Sequence, residues 1–241
     1  MIVPQIKVLP GLPEIAREAA ERIVVLAEEM IDTRGDFAIV LSGGSTPKAL
    51  YELLASDEYR ERINWLKVQV FFGDERCVPP EHADSNYRMA RIALLSEVPI
   101  PGDNVYRIRG EIDPNEAAIE YGKLLKEKFG DSGPDLVLLG MGDDGHTASL
   151  FPNTAALNET RHRCVANYVE KLNAWRITLT APFINLAEQV LFMVAGAEKA
   201  SRVQEVLEAD PDPDRLPAQL IRPASGKLTW LLDAAAAGMQ E

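Results

Sequence analysis

The chain has 241 residues, a formal net charge of −12 and 46% hydrophobic residues. This length suits one large α/β domain over residues 1–241, whose core needs no disulfide or metal for stability. So acidic a chain, with no run of Lys or Arg, excludes a nucleic-acid-binding surface. Any site for a phosphorylated substrate must therefore be built locally, from backbone N–H groups and a few cations.

The helices and strands predicted from hydrophobic spacing alternate along the chain. The first is a helix over residues 12–32, with apolar side chains on one face and charged ones on the other. In chain order the pattern then predicts a strand over 37–41, helix 46–54, strand 68–72, helices 85–95 and 113–129, strands 135–139, 176–180 and 189–194, helix 197–208 and strand 228–232. This order predicts an α/β fold, Rossmann-like, with a mostly parallel sheet and helices on both faces.

The cellular setting is also indicated by the sequence. Cys77 and Cys164 form no metal-spaced pair, which favours free thiols in a reducing compartment. Residues 1–10 lack the basic start and apolar core of a signal peptide, and no apolar stretch approaches the ~18 residues of a membrane span. We therefore expect a cytoplasmic protein without a membrane or nucleic-acid partner. The expected oligomeric state is a monomer or a weak homodimer.

Four predicted strands are followed by unusual segments. In parallel sheets, ligands bind beyond the carboxyl ends of the strands. We therefore expect these segments to meet at one edge of the sheet. They cover residues 42–48, 73–76, 140–150 and 195–199.

The first segment has the composition of an anion-binding loop. Gly43 and Gly44 let the backbone approach a ligand, and Ser45 and Thr46 add hydroxyl donors before a helix N-terminus. Thr46 is the predicted N-cap, with Pro47 at the first helical position. The segment is neither a Walker loop nor a Gly-x-Ser-x-Gly elbow, which argues against Ser45 as a nucleophile. A plain strand–helix turn is the alternative interpretation.

The second segment carries an arginine beside two acids. The planar guanidinium of Arg76 suits a phosphate or carboxylate, and Asp74 and Glu75 could orient it or contact sugar hydroxyls. Asn86, in the nearby run of residues 84–87, is a further candidate contact. The alternative is a surface ion pair followed by a helix cap.

The third segment, which continues to residue 152, contains a candidate general base. His146 can take a proton near neutral pH, and Asp143 or Asp144 is close enough in sequence to hold its ring. Gly142 belongs to the same flexible run and is a candidate substrate contact. A structural histidine is one alternative. A Mg²⁺ site on the paired aspartates is another, although no His-x-x-x-His or paired-Cys pattern supports a metal.

Two further cations are candidates because they lie near the ends of predicted strands. Arg176 begins the strand over residues 176–180, and Lys199 follows the strand over residues 189–194. Each could equally be an ordinary solvated charge.

These segments resemble, in the same order, those of the 6-phosphogluconolactonases, most specifically in the run over residues 140–152. The resemblance implies an α/β architecture shared with glucosamine-6-phosphate deaminase and ribose-5-phosphate isomerase. It also implies hydrolysis of a sugar-phosphate lactone in the oxidative pentose phosphate pathway, without a metal or organic cofactor. In that family's pattern His146 is the proposed base. The implied anion ligands are residues 43–46, Arg76, Arg176 and Lys199.

The related deaminases differ from this chain at two places. They usually follow the shared histidine with Ile-Ala-Phe-Asn-Glu, whose Glu supports ring opening, whereas residues 147–151 here contain no Glu. They also carry Asp-Glu-Tyr where this chain has Asp-Glu-Arg at residues 74–76. Both differences favour the lactonase over a deaminase or isomerase, and the candidate base argues against a non-catalytic sugar-phosphate sensor.

The sequence therefore predicts hydrolysis of 6-phospho-D-glucono-1,5-lactone to 6-phosphogluconate. His146 is the predicted general base and Asp144 its catalytic partner. The predicted substrate-binding residues are Gly43, Gly44, Ser45, Thr46, Asp74, Arg76, Asn86, Gly142, Arg176 and Lys199.

Overall fold

The computed structural model describes residues 4–224 and 227–239. Its α-helices are α1 (Leu12–Arg34), α2 (Ser45–Leu54), α3 (Asn86–Ala90), α4 (Pro114–Phe129), α5 (Ala181–Ile184) and α6 (Ala200–Glu208). Its strands are β1 (Gln5–Leu9), β2 (Phe37–Leu41), β3 (Val68–Phe72), β4 (Asp74–Arg76), β5 (Leu136–Leu139), β6 (Cys164–Val169), β7 (Ala174–Leu179), β8 (Gln189–Val194) and β9 (Lys227–Asp233).

Six strands form a parallel sheet in the order β1-β9-β8-β5-β2-β3. All five residues of β2 are buried. Because successive side chains of a strand point to opposite faces, this burial means that both faces of the sheet are covered at β2. The α/β fold with a mostly parallel sheet is confirmed, and β2, β3 and β8 have the bounds that the apolar runs predict.

The remaining three strands form a separate antiparallel sheet in the order β4-β7-β6. The prediction that placed residues 176–180 among the core strands is wrong, because this segment belongs to β7 of the small sheet. Residues 73–76 were predicted as the segment that follows a strand, but residues 74–76 form a strand of their own, β4. Strands β1, β4 and β6 were not predicted. They are exposed at several positions or very short, so they lack the continuous apolar run of a core strand.

The N-terminal caps of two helices differ in how well the sequence predicts them. Helix α2 begins at Ser45, so the prediction of Thr46 as N-cap is wrong. The N-cap is Gly44, whose φ of 108° favours glycine. In contrast, α4 begins as expected, with the Asp113 carboxylate accepting from the N–H groups of Asn115 and Glu116.

Two predicted helices are each divided into two parts. The predicted helix over residues 85–95 is α3 followed by a π-helix over Arg91–Leu95. The predicted helix over residues 197–208 begins as a 3₁₀ turn, Ala197–Lys199, before α6. In the described part of the chain, no helix has the length and apolar character needed to cross a bilayer.

The strand order places a crevice between β2 and β5. The next large-sheet strand after β2, which is β3, pairs on one side of β2, whereas β5 pairs on the other. Connections that leave in opposite directions open a crevice at such a switch point, and ligands bind there in α/β sheets. Strands β8, β5, β2 and β3 are consecutive neighbours, so the four unusual segments meet at this edge.

Candidate active site

A cleft of about 490 Å³ lies beyond the carboxyl ends of β8, β5, β2 and β3, and the small sheet forms one of its walls. His146 lines this cleft, and the Asp144 carboxylate contacts Nδ1 of the His146 ring. The structure thus brings the predicted residues together, while their roles stay predictions. The predicted substrate-binding residues that line it are Gly43, Gly44, Ser45, Thr46, Asp74, Arg76, Asn86, Gly142, Arg176 and Lys199.

The His146 ring is fixed by two contacts. Its Nδ1 lies 2.5 Å from Oδ1 of Asp144, and the ring stacks on Phe151 with centroids 4.0 Å apart. Since an ionised carboxylate only accepts hydrogen bonds, Nδ1 carries the proton of the neutral ring. Nε2 is then the acceptor nitrogen, and it has no hydrogen-bond partner among the described residues. One quarter of the side chain is exposed. The arrangement suits a general base.

Asp144 is held in its ionised form. Burial by itself would raise the pKa of this carboxyl. The hydrogen bond and charge of His146, together with a hydrogen bond from Lys171, outweigh burial and hold the pKa well below its usual value. The Lys171 ammonium lies 2.9 Å from Oδ2 of Asp144. Asp143 is exposed, and within the described residues its carboxylate forms an ion pair with Lys171 alone, at 3.7 Å. Asp144 is therefore the carboxylate that orients His146.

Glycine at position 142 lets the loop fold around the imidazole. A Cβ at Gly142 would lie 2.1 Å from both Cε1 and Nδ1 of His146. The loop is closed by two backbone hydrogen bonds, from Gly142 N to His146 O and from Gly145 N to Gly142 O. Thr147 Oγ1 donates to Gly140 O at 2.8 Å and ties the far side of the loop to its start. The glycines of this segment thus place the ring at the cleft wall.

The glycine loop after β2 presents free backbone donors. Pro47 has no N–H, and Lys48 N donates to Gly44 O. The N–H groups of Ser45 and Thr46 have no acceptor among the described residues. These amides lie at the N-terminus of α2, where the helix dipole favours an anion.

A close contact with Asn86 shapes the same loop. The position of a Cβ at Gly43 is taken by the Asn86 side chain, 2.0 Å from its Oδ1. Asn86 is fixed in turn by hydrogen bonds from its Nδ2 to the carbonyl and the carboxylate of Asp74. Asn86 therefore connects the loop after β2 to the strand β4.

Two arginines lie side by side on neighbouring strands of the small sheet. Arg76 of β4 and Arg176 of β7 are register partners. Both are half-buried, and neither forms a salt bridge with a carboxylate within residues 4–224 and 227–239. Burial, followed by the charge of Arg76, lowers the pKa of Arg176. Two like charges placed opposite each other repel, so an anion between them would relieve the repulsion.

Asp74 and Glu75 hold protein groups in place. Asp74 is buried, and its carboxylate accepts from Ser149 Oγ at 2.6 Å. Glu75 is also buried and accepts from the N–H groups of Asn86 and Tyr87 at 2.7 and 2.8 Å. The interpretation that Glu75 orients the Arg76 guanidinium is wrong, because Glu75 contacts only the backbone N–H of that residue.

Lys199 enters the cleft from the side of β8. It ends the 3₁₀ turn that follows Gly196, a residue with φ of 107°. Gly196 N donates to both carboxylate oxygens of Asp233 at 3.1 Å, which fixes this turn to the end of β9. Lys199 forms no salt bridge within the described residues.

Lys171 and Ser149 are among the polar side chains of the cleft that sequence reasoning missed. Lys171 lies in the connection between β6 and β7, and β6 itself was not predicted. Ser149 lies within a predicted motif, but its bond to Asp74 spans 75 positions of the chain. To predict these two contacts, the sequence would have had to reveal the small sheet, because Lys171 connects two of its strands and Asp74 begins the third. No group of three or more His, Cys, Asp or Glu side chains in the described residues is arranged to hold a metal.

Known proteins resemble this chain in sequence. A family model described as "Glucosamine-6-phosphate isomerases/6-phosphogluconolactonase" matches residues 12–230. A 6-phosphogluconolactonase of Nostoc sp. is 43% identical over 238 residues, which cover 96% of each chain. The Homo sapiens 6-phosphogluconolactonase is 40% identical and covers 95% of this chain and 93% of its own.

The fold is also similar to solved structures. The 6-phosphogluconolactonase of Trypanosoma brucei superposes with a TM-score of 0.87 at 31% identity, covering 99% of both chains. A monomeric glucosamine-6-phosphate deaminase superposes with a TM-score of 0.83 at 21% identity, covering 98% of this chain and all of the other, and shows a shared fold alone. With the family match over most of the chain and the cleft geometry, the chain belongs to the glucosamine-6-phosphate isomerase/6-phosphogluconolactonase family.

Proposed function

We propose that the protein hydrolyses 6-phospho-D-glucono-1,5-lactone to 6-phosphogluconate, as in the oxidative pentose phosphate pathway, with His146 as general base. The observation that carries this proposal is that one cleft holds both the His146–Asp144 pair and two neighbouring arginines that form no salt bridge within the described residues. A cleft of about 490 Å³ suits a ligand the size of a sugar phosphate. The 6-phosphogluconolactonases among its relatives support the same reaction.

The proposed first step is attack of water on the lactone carbonyl carbon, C1. Nε2 of His146 takes a proton from the water as its oxygen bonds to C1, and the carbonyl π electrons move to the carbonyl oxygen. Asp144 stabilises the imidazolium through Nδ1–H. The lactone carbonyl is already electrophilic, so a covalent enzyme intermediate is not required.

The second step is collapse of the tetrahedral intermediate. The oxyanion re-forms the C1 carbonyl, the C1–O bond to the ring oxygen breaks with its electron pair left on that oxygen, and His146 returns its proton from Nε2 to it. The product is an open-chain acid that ionises in neutral solution. Backbone N–H groups or a cation of the cleft wall would stabilise the oxyanion formed in between.

The phosphate is remote from the reacting carbon, so its binding serves to position C1. We assign the phosphate to Arg76 and Arg176, which lie side by side without a carboxylate partner among the described residues. The N–H groups of Ser45 and Thr46, which have no acceptor among the described residues, add neutral donors to the same cleft. Lys199 supplies a third cation from the side of β8.

The direct test is His146→Ala, assayed on the phosphorylated lactone with spontaneous ring opening subtracted. We expect kcat to fall about 10²- to 10⁴-fold with little change in KM, because the variant loses the base and keeps the phosphate contacts. His82→Ala removes a half-exposed histidine outside the cleft and serves as the matched control.

Two results would contradict the proposal. An unchanged kcat in His146→Ala would remove the histidine from the mechanism. Ammonia release from glucosamine 6-phosphate, without lactone hydrolysis above background, would assign the cleft to a deaminase. The assay is run with and without EDTA, and we expect equal rates in the two conditions.

A further inference from the structure

A lysine outside the predicted site contacts the carboxylate that orients His146. Lys171 lies on the 3₁₀ turn Glu170–Leu172, which connects β6 to β7. Its Nζ is 2.9 Å from Oδ2 of Asp144 and 3.7 Å from Oδ1 of Asp143. This contact joins two parts of the cleft wall, because Asp144 lies in the loop after β5 whereas Lys171 lies in the connection between two strands of the small sheet.

The two oxygens of Asp144 are divided between two partners. Oδ1 faces Nδ1 of His146, whereas Oδ2 faces the ammonium of Lys171. A carboxylate beside an imidazole favours the protonated imidazolium, and a nearby ammonium opposes that effect. Removing the ammonium would leave the carboxylate free to stabilise the imidazolium alone, and a protonated His146 cannot act as a base.

We propose that Lys171 is a positioning residue, which acts through Asp144 to keep His146 in its neutral, base-competent form at lower pH. This proposal rests on the proposed function. It gives the β6–β7 connection a role in catalysis, although Lys171 need not touch the substrate.

The turn that carries Lys171 is fixed by its neighbours. Asn173, which follows the turn, adopts a left-handed conformation with φ of 46°. Its side-chain oxygen accepts a hydrogen bond from the Tyr168 hydroxyl. Tyr168 in turn packs against Trp175, with ring centroids 5.3 Å apart. The backbone of the turn is therefore held independently of the Lys171 ion pair, so a substitution at this side chain should leave the turn in place.

Other charged groups also face the His146 loop. They are the same residues in every variant at position 171, and only Asp143 among them loses a contact with the Lys171 ammonium. Arg202 of α6 packs on Gly145, and its Nε donates to Asp143 O at 3.2 Å. The remaining charged residues that line the cleft around His146 are Asp74, Arg76, Asp143, Arg176, Glu198 and Lys199. A difference between variants at position 171 therefore reports the lysine charge.

The experiment measures log(kcat/KM) against pH for wild type, Lys171→Met and Lys171→Arg. The side chain is 59% exposed, so solvent screens its charge. We therefore expect the acid limb in Lys171→Met to move upward by about 0.3 to 1 pH unit, with rates near wild type on the alkaline side. Lys171→Arg keeps the positive charge, so the acid limb of its pH profile should lie at the wild-type position. Lys126→Met, which breaks the ion pair with Asp131 outside the cleft, is the matched control.

A second measurement does not depend on turnover. The chain has three histidines, so NMR titration of the imidazole signals can follow His146 directly. Its titration midpoint should rise in Lys171→Met together with the acid limb. An unmoved limb and midpoint in a folded, active variant would overturn the role of Lys171 and leave the proposed function intact. A change in KM alone would also overturn it, since it would make Lys171 a substrate contact. Wild-type protein without lactonase activity would overturn both proposals.

Discussion

At the scale of single residues, the contact between Gly142 and His146 sets the position of the proposed base. Only glycine fits at position 142, because a Cβ there would lie 2.1 Å from two atoms of the imidazole ring. The ring itself is held between Asp144 and the face of Phe151. A residue with a Cβ at position 142 must therefore displace the ring from these partners.

Gly142→Ala should lower kcat by about 100-fold or more, since a shift of the base by an ångström is enough for such a loss. The control is Gly122→Ala in α4, where an added Cβ meets no atom within 4 Å. That change should keep wild-type activity and raise stability slightly, by about 0.5–1 kcal/mol. The measurements are steady-state kinetics and thermal denaturation. Wild-type kcat in Gly142→Ala would show that the ring position is not critical.

At the scale of elements, the pairing of β4 with β7 brings two cations together from distant parts of the chain. Arg76 and Arg176 are 100 positions apart in sequence and are register partners in the small sheet. Burial, followed by the charge of Arg76, disfavours the charged form of Arg176, and the charge of Asp74 offsets part of this effect. We propose that this arrangement favours an anion bound between the two guanidinium groups.

Arg176→Met should weaken kcat/KM for the phosphorylated lactone by about 10- to 100-fold, the value of one or two charged hydrogen bonds. The value of kcat/KM for unphosphorylated glucono-1,5-lactone should fall far less. The melting temperature of the free variant should equal or exceed that of wild type, because the repulsion is gone. Arg60→Met removes an exposed arginine outside the cleft and should leave kcat/KM unchanged for both lactones. Equal losses on both lactones would place Arg176 away from the phosphate.

The elements also show what could be predicted from the sequence. Strands such as β2 and β8 are continuous apolar runs, so the parallel sheet and its ligand-binding edge follow from local pattern. His146 and the glycine loops were found for the same reason, since each lies in one short segment. The Asp74–Ser149 hydrogen bond, the Arg76–Arg176 pairing and the Lys171–Asp144 contact were not found. They depend on the small sheet, whose strands are short or interrupted by polar residues.

At the scale of the whole molecule, a hydrogen-bonded group around Glu21, outside the cleft, connects α1 to the segment that contains Tyr59 and Arg62. The Glu21 carboxylate of α1 accepts two hydrogen bonds from Arg62, at 2.7 and 2.8 Å, and one from the Tyr59 hydroxyl, at 2.7 Å. These partners, the arginine first, lower the pKa of Glu21 from 4.5 to about 2. A carboxyl whose pKa is lowered by folding stabilises the native state above its unfolded pKa. That contribution is lost as the pH falls from about 4.5 to about 2.

Glu21→Gln should therefore be less stable than wild type at pH 7, and the difference should shrink as the pH falls from 4.5 towards 2. Denaturant unfolding at a series of pH values measures this difference. Glu28→Gln, an exposed position on the same helix without an ion pair in the described residues, should follow the wild-type curve. A constant difference between Glu21→Gln and wild type across this range would contradict the assignment.

The order of strands in the large sheet has a consequence for how the protein is made. Strand β1 pairs with β9 alone within the described residues, although β1 lies at the start of the chain and β9 near its end. At the usual speed of a ribosome, β1 waits roughly 10–45 s for its neighbour to be synthesised. Until then β8 also has an open edge, and Asp233 cannot yet fix Gly196 beside Lys199. Strand β1 therefore stays unpaired until β9 has been made, and the turn beside Lys199 is fixed only once Asp233 has been added.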